Sequence, residues 1–147
     1  MLTQEQLKVT GRLKIDVFNP DGTLKESREI DNLVVTVGKT FIASRMVGTS
    51  ATVMSHMAVG TDSTAPAAGN TTLGAEVARV ALTSGTSSGA VATFVATFGA
   101  GTGTGALTEA GILNASSLGT LLCRTTFAVV NKGASDAMTI TWTVTIS

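Results

Sequence analysis

Two glutamates, Glu76 and Glu109, are the side chains of this sequence that could do acid–base chemistry as a pair. Two carboxylates that flank a glycosidic bond can cleave it if the fold holds them at the required separation. Nothing in the sequence fixes the separation of these two. Two arginines, Arg79 and Arg124, are available as partners. The pattern therefore favours structural ion pairs over a hydrolytic site.

His56 is the only histidine in the sequence. A metal site built from imidazoles lacks a second ligand, and a Ser–His–acid triad would depend on this one residue. Ser55 precedes it directly, and successive side chains of a strand point to opposite faces. We therefore expect no contact between them. The apolar neighbours Met54 and Met57 predict a histidine that is packed or lies in an interface.

Residues 101–106 (GTGTGA) have the glycine spacing of a dinucleotide-binding fingerprint. That fingerprint must open a helix and be followed by an acidic residue about 20 positions on. Residues 107–114 do not have a helical pattern, and no acidic residue lies between Glu109 and Asp136. A flexible turn is the favoured interpretation.

Lys8, Arg12 and Lys14 form a short basic stripe that Asp16 interrupts. No aromatic residue is interleaved to stack on bases, so we interpret the stripe as a solvated face. Ten basic and ten acidic residues give a net charge of zero. The long-range field used by nucleic-acid or anionic-membrane binders is therefore absent, and neither partner is predicted.

Cys123 is the only cysteine, so it has no intramolecular disulfide partner and no second thiol for a soft metal site. We predict a small buried hydrophobic residue in a strand. With the weak patterns above, this leaves no predicted catalytic residue, no cofactor-binding residue and no metal ligand. The chain is predicted not to be an enzyme.

Charged residues make up 14% of the 147 residues, against about 25% in typical soluble domains. Thirteen of the twenty lie between Glu5 and Arg45, and Glu109 is the only one from Val80 to Cys123. A surface poor in charge is weakly protected against association. The composition therefore predicts a protein that contacts neighbouring subunits permanently.

Alternating apolar and polar residues recur in short runs separated by turn residues, which is typical of an antiparallel β-sandwich or jelly roll. The first run ends at residues 19–22 (NPDG), a strong hairpin signal. The last run, residues 138–146, alternates apolar residues with threonines, so Trp142 is predicted to lie in the core.

Three other segments have distinct patterns. Residues 38–47 have helical spacing followed by Gly48, which predicts one short helix. Residues 60–74 read as a long loop of the kind that serves as an interaction arm. Residues 75–83 and 90–98 read as a pair of strands joined by a link at residues 84–89.

The length predicts a single domain over residues 1–147, with residues 1–6 as a candidate flexible arm. The first eight residues are polar and do not resemble a secretion signal. No window approaches the ~18 to 20 apolar residues of a membrane helix. No membrane partner is predicted.

Three segments together resemble a group of small bacteriophage virion structural proteins, which includes capsid cement or decoration proteins and minor tail-fibre proteins. They are residues 54–61 (MSHMAVGT), 98–112 (FGAGTGTGALTEAGI) and 130–142 (VNKGASDAMTITW), and the similarity extends to residues 37–46 (VGKTFIASRM). The resemblance implies a non-enzymatic β-sandwich or jelly-roll subunit present in many copies. Its motif residues look structural, so it implies no catalytic position.

The resemblance leads to the expectation of a capsid cement protein on the exterior of the virion, made in the cytoplasm of the host bacterium. Its expected partners are the major capsid protein, across subunit junctions, and further copies of itself as a dimer or trimer. A tail-fibre or baseplate component is the structural alternative. A carbohydrate-binding β domain on the virion surface is the alternative from another class.

Overall fold

A computed structural model describes residues 5–48 and 51–147 of the chain. They form a predominantly β structure, and the predicted all-β class is confirmed. The elements in chain order are β1 (Val9–Phe18), β2 (Leu24–Val34), α1 (Thr36–Met46), β3 (His56–Gly60), β4 (Glu76–Ala81), β5 (Ser84–Ser88), β6 (Val91–Phe98), β7 (Gly105–Leu113), β8 (Leu121–Lys132) and β9 (Ala137–Ile146).

The nine strands of the described residues form one antiparallel sheet in the order β4-β3-β7-β8-β2-β1-β9-β6-β5. The sheet curls, because β4 contacts β6 although the two lie far apart in this order. One core cluster contains Met57 and Ile112 from one half of the sheet together with Phe98 and Trp142 from the other. The concave face therefore packs against itself and forms the core.

The first hairpin forms as residues 19–22 predict. The Gly22 N–H donates to the Asn19 carbonyl at 2.9 Å, and Gly22 has a φ of +86°, a left-handed value that suits glycine. β1 then pairs with β2 and with β9. Leu13, Ile15 and Val17 point into the core from β1 and are almost completely buried.

The predicted helix at residues 38–47 is confirmed as α1, two residues earlier at its start. It has no side-chain cap; the Thr36 N–H donates instead to the carbonyl of Ala68 at 2.9 Å. Gly38 lets the helix approach β8, because a Cβ atom there would lie 2.1 Å from the Leu122 carbonyl oxygen. Gly48 follows the helix with a φ of +66°. At eleven residues the helix is far below membrane-spanning length, and no other described segment offers such a helix.

The link predicted at residues 84–89 is itself a strand, so that prediction was wrong. Ser84–Ser88 is β5 and pairs with β6, whereas β4 pairs with β3 at the other end of the sheet. The segment's serines, threonine and glycine have the composition of a turn. They form a strand because β6 offers a free row of backbone groups. Of the candidate flexible arm at residues 1–6, residues 1–4 lie outside the described part of the chain. Glu5 and Gln6 are exposed and have no regular secondary structure.

β9 supplies the centre of the core, as its alternation predicts. Trp142 lies between Leu13 of β1 and Phe94 of β6 in register and is 0% exposed. Its indole N–H has no hydrogen-bond partner among the described residues. Trp142 therefore stabilises the fold through packing and not through a hydrogen bond.

We predict that Trp142→Ala lowers the free energy of unfolding by ~3 to 5 kcal/mol, because it removes a large buried ring. Trp142→Phe should cost less than about 2 kcal/mol, since it keeps an aromatic ring and loses no hydrogen bond. Chemical denaturation of both variants provides the measurement. Equal losses for the two would show that the indole N–H is bonded.

Candidate functional site

A buried carboxylate lies at the centre of the polar contacts in this fold. Glu109 on β7 is 0% exposed. Its Oε1 accepts hydrogen bonds from the Gly74 N–H at 2.8 Å and from Arg124 Nε at 3.1 Å. Its Oε2 accepts from the N–H groups of Asp62 at 3.0 Å and Ala75 at 2.7 Å. Four donors thus fill the acceptor positions of both oxygens.

Arg124 on β8 is the cationic partner, and it is also almost completely buried. Besides Glu109, its guanidinium donates to the Thr64 carbonyl at 3.2 Å and to Asn70 Oδ1 at 3.1 Å, and it lies 3.4 Å from Asp62 Oδ2. Hydrogen bonds from the Thr64 N–H and hydroxyl lower the pKa of Asp62, and the charge of Arg124 adds to this. The loop at residues 61–75 is therefore fastened to the sheet along most of its length.

The sheet brings the two glutamates into one row, because both Glu76 and Glu109 are register partners of Gly60. A Cβ atom on Gly60 would lie 2.5 Å from Glu109 Oε2, so glycine makes room for the carboxylate. Glu76 forms two hydrogen bonds with Arg79, at 2.7 and 3.0 Å. Both predicted ion pairs are confirmed. Since Glu109 is enclosed and saturated, it cannot reach a substrate.

Ser55 and His56 do touch, contrary to the expectation from strand alternation. The Ser55 hydroxyl lies 2.7 Å from His56 Nδ1. Ser55 precedes β3, which begins at His56, so its side chain need not follow the alternation of the strand. No carboxylate is recorded as an ion-pair or hydrogen-bond partner of His56 among the described residues. The pair therefore lacks the third member that orients a catalytic histidine.

Residues 101–104 form a turn, and residues 105 and 106 already belong to β7, so a strand stands where a dinucleotide site requires a helix. The Thr102 N–H donates to the Gly99 carbonyl at 3.1 Å, and Gly101 and Gly103 have left-handed φ values of +79° and +68°. Cys123 is completely buried, as predicted, and burial raises the pKa of its thiol. Among residues 5–48 and 51–147 no three metal-binding side chains cluster.

The basic stripe on β1 is balanced by acidic residues of β2. Arg12 lies 2.9 Å from Glu29 and 3.1 Å from Asp31, and these carboxylates raise the pKa of the guanidinium. On the same strand, Lys14 lies 3.9 Å from Asp16. The outer face of the first hairpin is thus an exposed network of alternating charges.

A buried lysine, Lys132, was not singled out from the sequence. Its ammonium group donates to the Gly99 carbonyl at 2.9 Å, and burial lowers its pKa while Asp136 opposes that shift. Asp136 accepts from Lys25 at 2.7 Å and from the Gly133 N–H at 2.7 Å, and these bonds lower its pKa. Together, Lys132 and Asp136 connect the β8–β9 turn to β2 and to the turn before β7. A lysine in an alternating strand gives no sign that it will be buried.

An uncharged surface covers the outer side of β5, β6 and β9, and we call it the hydroxyl face. The strand registers place its residues in adjacent rows on the side opposite the core. Thr97 and Thr139 join two of its strands through their hydroxyls at 3.1 Å. The face consists of two valines and nine hydroxyl residues: Ser84, Thr86, Ser88, Val91, Thr93, Val95, Thr97, Thr139, Thr141, Thr143 and Thr145.

The boundary of the hydroxyl face is sharp. Thr141 of β9 is the register partner of Lys14 on β1, and Thr143 is the partner of Arg12. The outer surface without charge and the ionic network of the first hairpin therefore meet directly, at the pairing of β9 with β1. Because no charged group must be desolvated on this face and none repels a neighbour, the hydroxyl face is the part of the outer surface best suited to contact another protein.

A groove of about 640 Å³ lies between α1 and the β5–β6 hairpin. Its lining is mainly apolar and includes Phe41, Ile42 and Phe94. The basic residue in its wall, Arg45, donates to the Ala51 carbonyl at 2.8 Å. Among the described residues that line the groove there is no acidic residue and no histidine, so they offer no acid–base pair.

We predict that Glu109→Gln lowers the free energy of unfolding by about 3 to 5 kcal/mol, because it removes the buried counter-charge of Arg124, which keeps only the more exposed Asp62 at 3.4 Å. The matched control is Glu76→Gln, which disrupts the more exposed pair with Arg79 and should cost less than about 1 kcal/mol. Urea denaturation of both variants measures the difference. Similar values would mean that Glu109 is not the anchor of the loop.

Comparison with known proteins gave no match, either among protein-family models or among curated proteins and solved structures. The function is therefore inferred from the sequence resemblance given above, from the surface of the fold and from its buried contacts.

Proposed function

We propose that this chain is a structural bacteriophage protein of the capsid cement type. It would bind the exterior of the head across junctions between major capsid subunits and stabilise the mature shell. Its mechanism is mass action, since a protein that binds only the assembled lattice stabilises that lattice more as occupancy rises. No catalytic step is part of the proposal.

The hydroxyl face is the observation that supports this proposal most. It extends over three neighbouring strands without a charged side chain, in a sheet whose curl is set by the core beneath it. Aromatic residues make up only 4% of the chain, so a compact contact built on aromatic anchors has little material. A broad contact made of many small side chains suits a lattice better.

Two further elements have roles in this proposal. The first hairpin presents paired charges that can meet polar groups of a capsid subunit. The loop at residues 61–75 is held by Glu109 and Arg124, so it can meet a neighbour without first losing conformational freedom. The resemblance of residues 98–112 and 130–142 to phage structural proteins supports the same assignment.

The finer form of the fold belongs to the proposal as well. We interpret the curled sheet as a sandwich of the jelly-roll type, whose two layers meet in the core around Trp142. In that arrangement the strands rich in hydroxyl side chains form the outside of one layer. This layer would be turned toward the capsid.

Heating purified particles with and without the protein tests the proposed role. We expect shells that carry it to release their contents at a higher temperature, and we expect the protein to be present in numbers comparable to the capsid subunits. Equal thermal stability of the two preparations would contradict the cement role. A low copy number confined to tails would favour a tail-fibre component instead.

A single charge on the hydroxyl face should weaken binding to shells. Thr93 is half-buried near the middle of this face, and Thr93→Lys introduces a charge that must be desolvated on contact. The matched control is Thr104→Lys, at an exposed position in the turn between β6 and β7 that does not belong to the face. Co-sedimentation with shells should show at least a tenfold weaker affinity, about 1.4 kcal/mol, for Thr93→Lys alone. Equal binding of the two variants would exclude the hydroxyl face as the contact.

A further inference from the structure

The two edges of the sheet are differently protected against another strand. β4 is one edge; it contains Glu76 and Arg79, and its pairing with β3 has a register shift at Val59/Gly60. Charges and irregular pairing are the usual means by which edge strands avoid joining other chains. β5 is the other edge; it contains no charged residue, and its pairing with β6 has no register shift.

β5 has the properties of an open pairing site. Its five residues are all exposed and uncharged, and it contains no proline and no bulge. It pairs with β6 on one side, and within residues 5–48 and 51–147 no strand lies on the other. No described residue forms a hydrogen bond with its side-chain hydroxyls. The backbone groups on its outer side are therefore free to bind a strand.

We propose that β5 pairs antiparallel with β5 of a second copy of this chain, about a two-fold axis at Thr86. The axis would place Thr86 opposite Thr86 of the second copy, and Ser84 opposite Ser88. No like charges meet in this arrangement, because β5 has none. Hydroxyl pairs across strands are favourable, and the Thr97–Thr139 contact already forms one within the sheet.

A second copy suits this edge because a two-fold pairing satisfies the free backbone groups of both β5 strands at once and leaves neither edge open. Gly85 and Ser87, the β5 residues on the core side of the sheet, are small, so two copies can approach without a clash at the seam. On the outer side, the two hydroxyl faces would join into one surface six strands wide. This pairing does not depend on the capsid role, and it would give the chain a symmetric, closed dimer.

Disulfide cross-linking tests the pairing directly. Cys123 is completely buried, so a cysteine introduced at the surface is the accessible thiol in the chain. Thr86→Cys should form a covalent dimer rapidly under copper phenanthroline, because the axis brings the two thiols together. The matched control, Leu118→Cys, lies at an exposed turn away from β5 and should cross-link much more slowly. A mixture of Ser84→Cys and Ser88→Cys should cross-link between the variants rather than within each.

A second measurement uses charge. Thr86→Lys would place two ammonium groups against each other on the axis and should raise the dimer dissociation constant roughly tenfold or more. Sedimentation over a concentration series, with Thr104→Lys as the control, measures this change, and circular dichroism checks the fold. A chain that stays monomeric at all concentrations, or Thr86→Cys cross-linking no faster than Leu118→Cys, overturns the proposal. A monomer that still binds shells would overturn the pairing and leave the cement role intact.

Discussion

The saturated carboxylate of Glu109 is the interaction on which the organisation of this chain depends most. An ionised carboxylate without partners is very costly to bury, so its burial requires that several donors converge on it. Three of those donors are backbone N–H groups of the loop at residues 61–75, and the fourth is Arg124 on the neighbouring strand. A segment with little apolar material is thereby ordered by polar contacts. This explains why a charge stands alone in the long uncharged part of the sequence.

The same contacts give Glu109 a structural role and leave it unsuited to a catalytic one. A catalytic acid or nucleophile needs an open approach and a spare proton or lone pair. Glu109 has neither, and Glu76 is engaged by Arg79. The two glutamates share the row of Gly60, and the two arginines share the nearby row of Ala58 and Gly111. The polar contacts of Glu109 are therefore directed inward, to the chain's own backbone, while the hydroxyl face presents no functional groups other than hydroxyls.

Local patterns predicted much of the fold. The NPDG turn, the helix after residue 35 and the alternation around Trp142 each depend on neighbours in sequence, and each is present. The errors have another origin. Residues 84–88 form a strand because β6 lies beside them, and the Ser55–His56 contact depends on where β3 begins. The pairing of β4 with β3 instead of with residues 90–98, the curl of the sheet and the enclosure of Lys132 are all set by contacts distant in sequence. No short window records such contacts.

The pairing of β1 with β9 constrains how the chain can fold. The Thr143 hydroxyl donates to the carbonyl of Arg12 across a separation of 131 residues, and Lys8 and Ser147 exchange two backbone hydrogen bonds. The interior of the sheet is therefore completed by β9, which is synthesised after the other eight strands of the described residues. Until then β1 and β6 lack their shared neighbour, and contacts of such long range slow folding. Nascent chains should expose two unsatisfied inner strands at once, which makes synthesis, rather than the finished molecule, the stage most vulnerable to aggregation.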